Sequence, residues 1–432
     1  MKIHDNCLLV RVLTFCHDTG MSTQARRKPG PPKKPAIRGR DICGTKYLRK
    51  LRKRLLALRR HRDCANRLLH YDEYVGYTLL HFFNPILGSV RALHQASRLK
   101  KVQCQLHLPP FSLGAFSEAG RTFDPALLEP ILAGLVAEAR DLGLDRRLSA
   151  LERVPTAVDG TLVHALARMS WALWRGNGEH AAKIHLEYEI LKGVPVRATV
   201  TEANASEGRT LRSQLTAGKL YILDRGYADY ALLDAILDAH SSFVVRVDGN
   251  AAYEVIEERP LSEAARKAGI ERDLIVRLGS KGAPELHDRK IRLVQIHVRD
   301  TDALLGRPRK SRVDAKTKSL RTHGGDYTLL LATDLLDLDA EIIGDIYRYR
   351  WQVELFFRWF KCILHADHLI SQSQRGLTIV TYCALIASVL LTLWTRRKPT
   401  KRTLEMLYLY FAGWADEEEL EAYLTKRQPA NA

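Results

Sequence analysis

Three acidic residues, Asp159, Asp224 and Glu354, have the surroundings of metal ligands although 65 and 130 positions separate them. Asp159 closes the short apolar run of Val154 to Val158 and leads into Gly160-Thr161. Asp224 closes Leu220 to Leu223 in the same way and leads into Arg225-Gly226-Tyr227. Each run reads as a buried strand. If the two strands lie side by side and parallel, both Asp side chains reach one crevice at the carboxyl ends of the sheet. Either Asp taken alone is equally an ordinary turn residue. The third acid sits in Tyr347-Arg348-Tyr349-Arg350-Trp351-Gln352-Val353-Glu354, which continues to Lys361 with helical character. At helical spacing Tyr347, Arg350, Glu354 and Lys361 fall within about 60° of one another on one face. An Arg350–Glu354 ion pair on a surface helix would give part of this pattern. The crowding of Trp351, Phe356, Phe357, Trp359 and Phe360 around it predicts a helix buried on most sides.

Carboxylates gathered out of water repel one another, and such a set persists where a divalent cation offsets the repulsion. Oxygen-only ligands suit Mg²⁺, with Mn²⁺ as a substitute. Two such ions about 4 Å apart can activate a nucleophilic oxygen and stabilise the leaving one across a phosphodiester. Arg350, as a forked donor, and Lys361, as a point charge, would then meet phosphates.

Positioning these groups requires an α/β scaffold, and the chain from about Arg153 supplies one. Val154 to Asp159, His180 to Leu191 and Val194 to Glu202 read as strands, Glu207 to Thr216 as a helix, Leu220 to Leu223 as a strand, Ala228 to His240 as a helix, and Ser242 to Val247 as a strand. The order is β-β-β-α-β-α-β. Residues 248–324 are charged and β-like, with loop signals at Gly279, Gly282 and Gly306 to Pro308, and read as an inserted β-rich subdomain. The α/β pattern resumes at 325–395, beginning with a strand at Tyr327 to Ala332 and strong helical character from Asp339 to Leu369. Before the core, residues 63–150 read as a helical, DNA-binding domain, with a helix start at Asp124-Pro125. Residues 1–62 form a basic arm, rich in Pro toward its middle, with a basic helix around Tyr47 to Arg60, and 396–432 form a helical tail.

Composition narrows the partner. The chain has 432 residues with 67 Lys+Arg against 49 Asp+Glu, a net charge of +18, which points to a polyanion. Its 7 cysteines are scattered without a CxxC pair, so neither a zinc site nor a redox motif is expected. Arg11 interrupts the only apolar run near the start and no small-residue cleavage site follows, so no signal peptide is expected. Leu377 to Trp394 is uncharged and long enough to span a membrane, but its Thr, Ser and Tyr residues favour a buried core helix, and no membrane association is expected. Trp171, Trp174, His164, His180, His185, His240, Glu202 and Asn204 lie near the core strands and read as packing or surface residues.

Together the Tyr347-x2-Arg350-x3-Glu354-x6-Lys361 signature, Asp159-Gly-Thr and Asp224-Arg-Gly-Tyr resemble the insertion-sequence-4-like DDE transposases, over roughly Pro155 to Leu391. The resemblance implies a ribonuclease H-like mixed sheet interrupted by a β-rich insertion between the second Asp and the Glu. It implies that Asp159, Asp224 and Glu354 are catalytic and hold two Mg²⁺ ions, and that Tyr347, Arg350 and Lys361 contact the transposon end. Arg225 is a further candidate for the DNA backbone. The implied reaction is hydrolytic nicking at element ends followed by attack of the freed 3′-hydroxyl on target DNA. A homodimer on paired double-stranded ends is expected, in a prokaryotic cytoplasm and associated with the nucleoid. Two rivals share the residues: a ribonuclease H-like nuclease that cuts without joining, and a transposase-derived protein that only binds DNA.

Overall fold

The structure is a computed structural model that describes residues 45–60, 67–84, 87–143, 146–164, 169–172, 180–279, 286, 288–298, 327–364, 369–395, 397–412 and 414–425. Contacts separate residues 1–36 from a unit running from 37 to 432, and every described residue belongs to the second. The basic arm up to residue 44 therefore lies outside the described residues.

The first helices are α1 (Thr45–Arg60), α2 (Tyr71–Phe83), α3 (Val90–Ser97), α4 (Lys100–Leu106), α5 (Leu113–Thr122), α6 (Glu129–Glu138) and α7 (Arg146–Ser149). The basic α1 is amphipathic: Leu51, Leu55 and Leu58 recur at helical spacing and are buried, while Arg54 pairs with Glu138 of α6. Asp124 accepts from the Ala126 N–H at 3.0 Å and caps a 3₁₀ turn that runs into α6, with Pro125 in its first turn.

The core follows as β1 (Val154–His164), β2 (Ala181–Glu189), β3 (Val194–Glu202), α8 (Glu207–Arg212), β4 (Lys219–Leu223), α9 (Tyr230–Asp238) and β5 (Ser242–Val247). This is the order read from the sequence. Gly193, at φ 65°, takes the left-handed conformation that joins β2 to β3. The remaining elements are β6 (Tyr253–Glu258), α10 (Glu263–Lys267), β7 (Ile270–Leu278), β8 (Ile291–Val298), β9 (Tyr327–Thr333), α11 (Ala340–Arg348), α12 (Trp351–Ile363), α13 (Gln374–Thr395), α14 (Lys401–Ala412) and α15 (Glu417–Thr425).

All nine strands form one sheet in the order β3-β2-β1-β4-β5-β9-β8-β7-β6. β1, β4 and β5 run parallel to their shared neighbours, and the other pairs are antiparallel. The fold is thus a mixed α/β sheet of the ribonuclease H-like kind. Strands β6 to β8 do not close on themselves: they continue the core sheet through β9, which pairs with β5 on one side and β8 on the other. The physical reason is the side that β9 offers after pairing with β5, which a single antiparallel ladder to β8 satisfies.

Both faces of the sheet are covered, which explains why its central strands are uninterrupted apolar runs. Leu220, Ile222 and Val244 pack into one core cluster, and Tyr221, Leu223, Phe243 and Val245 into the other. The second face is covered by α8 and α9 through Leu211, Leu232, Leu233 and Ile236. The first is continuous with the helical region, because it also includes Leu51, Tyr74, Leu132 and Leu385. α13 makes this continuity: its residues from Gly376 to Thr392 are almost all buried, and it packs against β3, α6, α5 and α2. It is the one helix among the described residues long and apolar enough to cross a membrane, and 89% of its apolar window is inside the protein. Of the cysteines, Cys104, Cys362 and Cys383 are described, and each is a free thiol.

Candidate active site

The pairing register brings the two aspartates together. β1 and β4 pair in parallel from Val154 with Lys219 to Ala157 with Ile222, a constant offset that, carried two residues further, sets Asp159 beside Asp224. Both acids then share the face of Ala157 and Ile222, since alternate residues of a strand point the same way. β1 itself does not stop at Asp159 but continues to His164 against β2 alone, so Asp159 stands where the parallel ladder ends rather than where the strand ends.

Glu354 reaches the same place from α12. The helix expected to run unbroken from Tyr347 to Lys361 is divided: α11 ends at Arg348 and α12 begins at Trp351. Across the junction the backbone bonds tighten, with Arg350 N–H to the Tyr347 carbonyl at 3.0 Å and Val353 N–H to the Arg350 carbonyl at 3.1 Å. No Gly or Pro marks this junction in the sequence. It still leaves Tyr347, Arg350 and Glu354 on the site side. The Tyr347 hydroxyl donates to Asp224 Oδ1 at 3.2 Å, and Arg350 Nη2 donates to Glu354 Oε1 at 2.7 Å. Arg350 Nη1 lies 3.8 Å from Asp159 Oδ2. The aromatic neighbours of Glu354 are packed as expected: Phe356, Phe357, Trp359 and Phe360 are all buried. Lys361 is exposed, about 10 Å along the helix from Glu354. Arg225 is also exposed and pairs with Asp248 at 3.0 Å.

The two aspartates differ electrostatically. Burial pushes the Asp159 carboxyl up to about 6, with Glu354 and Glu207 adding repulsion and Arg350 and the Gly160 N–H opposing it. Burial works the same way on Asp224, but there Arg350, the Arg225 N–H, Arg246 and the Tyr347 hydroxyl outweigh it and hold the carboxyl below its usual range. Burial works to lower Arg350 also, yet Tyr347, Asp224 and Glu354 overcome it and keep the guanidinium charged.

Two neighbours were not singled out as site residues from the sequence. Glu207 opens α8, where an acid in a first turn is unexceptional. Its carboxylate nonetheless lies close enough to β1 that a Cβ on Gly160 would stand 2.9 Å from Glu207 Oε1, and Lys183 pairs with it at 3.3 Å. Tyr227 follows Asp224 by three positions. It is buried, its hydroxyl has no hydrogen-bond partner, and burial with the nearby Glu207, Asp159 and Asp224 holds it protonated.

The weaker candidates divide. The Trp171 indole donates to the Gln372 carbonyl, and His180 bonds the Met169 carbonyl, both packing roles. Trp174 and the His164 side chain lie outside the described residues. His240 takes a left-handed turn conformation at φ 55°, and Glu202 and Asn204 are exposed. His185 is buried on β2 opposite Gly160 and bonds the Thr201 hydroxyl at 2.9 Å. Burial, helped by Lys183, pulls it down to about 4, so it is neutral when folded and titrates nearer its ordinary value when unfolded. The unfolded chain therefore binds more protons between those values, and stability falls as pH drops through that window. Asp159 contributes with the opposite sign, so the test is a difference. Relative to His185→Gln, the parent should lose about 2–3 kcal/mol between pH 7 and 4 in denaturant titrations. Parallel profiles would show that His185 carries no such penalty.

The donor set fits a hard divalent cation in type, being three carboxylates with a phenol and cations around them. Among the described residues no three His, Cys, Asp or Glu side chains converge closely enough to hold a metal ion as they stand. The guanidinium of Arg350 occupies the space between Asp159 and Glu354 instead.

Comparison with known proteins supplies the family. Residues 151–390, more than half the chain, match the model of the transposase DDE domain. The chain is similar to y4zB of Sinorhizobium fredii, which carries a transposase name, at 28% identity over 61% of this chain and 66% of that protein. A protein of Geobacillus stearothermophilus named as transposase for insertion sequence element IS5377 is 23% identical over 75% of this chain and 78% of its own. One from Synechocystis, named for insertion sequence element IS4SA, is 20% identical over 74% and 83%. Among solved structures, a piggyBac transposase synaptic complex with hairpin DNA aligns with 90% of this chain and 82% of that one at 8% identity, with a TM-score of 0.38. The family match extends across the sheet, both aspartates and the Glu354 helix, and the chain belongs to the DDE-domain transposases.

Proposed function

We propose that this transposase cleaves DNA at the ends of its element and joins the freed 3′-hydroxyl to target DNA, with Asp159, Asp224 and Glu354 as the ligands of two Mg²⁺ ions that Mn²⁺ can replace. The observation that carries this reading is the meeting of acids from β1, β4 and α12 around one arginine, although 65 and 130 positions separate them. Bound there, the ions would supply an activated oxygen nucleophile and charge stabilisation at the leaving oxygen. Asp224, held below the usual carboxylate range, and Glu354 provide oxygen donors. Asp159 completes the set once its desolvation is offset by positive charge. The Tyr347 hydroxyl fixes the orientation of Asp224. Arg350, Lys361 and the exposed Arg225 would meet phosphates, Arg350 as a forked donor. A net charge of +18 supports a polyanionic partner, and a homodimer on paired double-stranded ends in the nucleoid is part of the reading.

The test is a Mg²⁺-dependent assay with duplexes carrying the inverted repeats that flank the reading frame. Joined products that depend on a 3′-hydroxyl are expected. Cleavage without joining would favour a nuclease on the same core, and binding without cleavage a protein retained for occupancy.

A further inference from the structure

The three carboxylates are not poised around an open space; they are held by a side chain of opposite charge. Arg350 donates to Glu354 at 2.7 Å, stands 3.8 Å from Asp159, and lies near enough to Asp224 to depress its carboxyl. Its own ring neighbour is Tyr347, 5.8 Å from the guanidinium carbon. The fit is incomplete. Arg350 Nε is buried with no hydrogen-bond partner, and the buried Tyr227 hydroxyl beside the acids is likewise unmatched. A permanent structural ion pair at this depth would be expected to satisfy every donor, since a buried unpaired one is costly. An arrangement serving one of two states need not.

We propose that Arg350 is the resident counter-ion of Asp159, Asp224 and Glu354, and that it must withdraw before these acids can close on divalent metal. This rests on reading the three acids as the metal site. A monovalent guanidinium and a divalent cation cannot share the same carboxylate oxygens at close range, so the two compete. The guanidinium has a better destination when DNA is present, because a phosphate accepts its two parallel N–H groups as well as a carboxylate does. The tight turn at Tyr349–Arg350 places it at the joint between two helices, where its side chain can change direction without unwinding either one. Metal affinity would then be low in the free protein and rise when DNA phosphates hold Arg350. Stray metal-dependent cleavage would be restrained before the ends are engaged.

The experiment is Mn²⁺ titration by calorimetry, with no DNA, on the parent, Arg350→Ala, Arg350→Gln, Asp224→Asn and the Arg350→Ala/Asp224→Asn pair. Removing the guanidinium should tighten Mn²⁺ binding by about tenfold or more. Arg350→Gln, which keeps a donor toward Glu354 without the charge, should shift affinity in the same direction and carries the measurement if Arg350→Ala does not fold in chelator. In EDTA both variants should unfold at lower temperature than the parent, and Mn²⁺ should close that gap. Parent-like affinity in both Arg350 variants, with Asp224→Asn abolishing binding, would overturn the counter-ion proposal and leave the metal site standing. Mn²⁺ binding unaffected by Asp224→Asn in either background would overturn the site reading beneath it.

Discussion

Replacing Glu354 by Gln should lower DNA cleavage by about three orders of magnitude or more, equivalent to at least roughly 4 kcal/mol of barrier, while leaving DNA binding within about twofold of the parent. The separation of the two effects follows from geometry. Gln keeps an oxygen that can accept from Arg350, so the i,i+4 bond at the start of α12 survives, and Glu354 is partly exposed, so its charge contributes little to folding. What is lost is one anionic ligand of a set that has no spare. Glu207 also stands near Asp159, but it is paired with Lys183 and approaches from α8 beside Gly160. Cleavage of cognate duplex and binding by fluorescence anisotropy measure the two quantities on one preparation. Equal cleavage by parent and variant would remove Glu354 from the chemistry.

Breaking the Arg292–Asp273 pair should have the largest effect on stability. Both residues are buried, and the guanidinium makes two parallel bonds to the carboxylate, Nε to Oδ1 at 2.8 Å and Nη2 to Oδ2 at 2.7 Å. Its remaining nitrogen donates to the carbonyls of Leu335, Leu336 and Leu338. That loop leads directly into α11, so a side chain on β8 fixes the entry to the helix pair that presents Tyr347, Arg350 and Glu354. Asp273→Ala strands a buried cation and should cost about 3–5 kcal/mol. The double replacement Arg292→Met/Asp273→Leu removes both charges and should recover much of the loss, short of the carbonyl bonds. Chemical denaturation of the single and double variants gives the cycle. A cost below about 1 kcal/mol for Asp273→Ala would mean that water reaches the pair.

The core strands could be read from the sequence because burial on both faces leaves a plain mark: β3, β5 and β8 lie where uninterrupted or alternating apolar runs place them. The meeting of Asp159 and Asp224 was legible for the same reason, since two such runs each end one residue before an Asp. The division of α11 from α12 was not, because no residue there forbids a helix and the change comes from how each half packs. Nor was the merging of β6 to β8 into the core sheet, which depends on the open side of β9 and on a pairing between distant segments. Glu207 was hidden by an ordinary role at a helix start, and the span of Arg292 to Leu338 by its separation in sequence. α13 was recognised as a core helix, but only packing shows that it joins the helical region and the sheet into one core.

Asp159, Asp224 and Glu354 should together ligate the catalytic metal. This is tested most directly by a structure of the protein with cognate end DNA and Mn²⁺, read through the anomalous signal of the metal. Peaks coordinated by oxygens of all three residues are expected, with Arg350 turned away to a phosphate. Mn²⁺ bound with Glu354 outside coordination distance, and Arg350 still on Asp159 and Glu354, would contradict it.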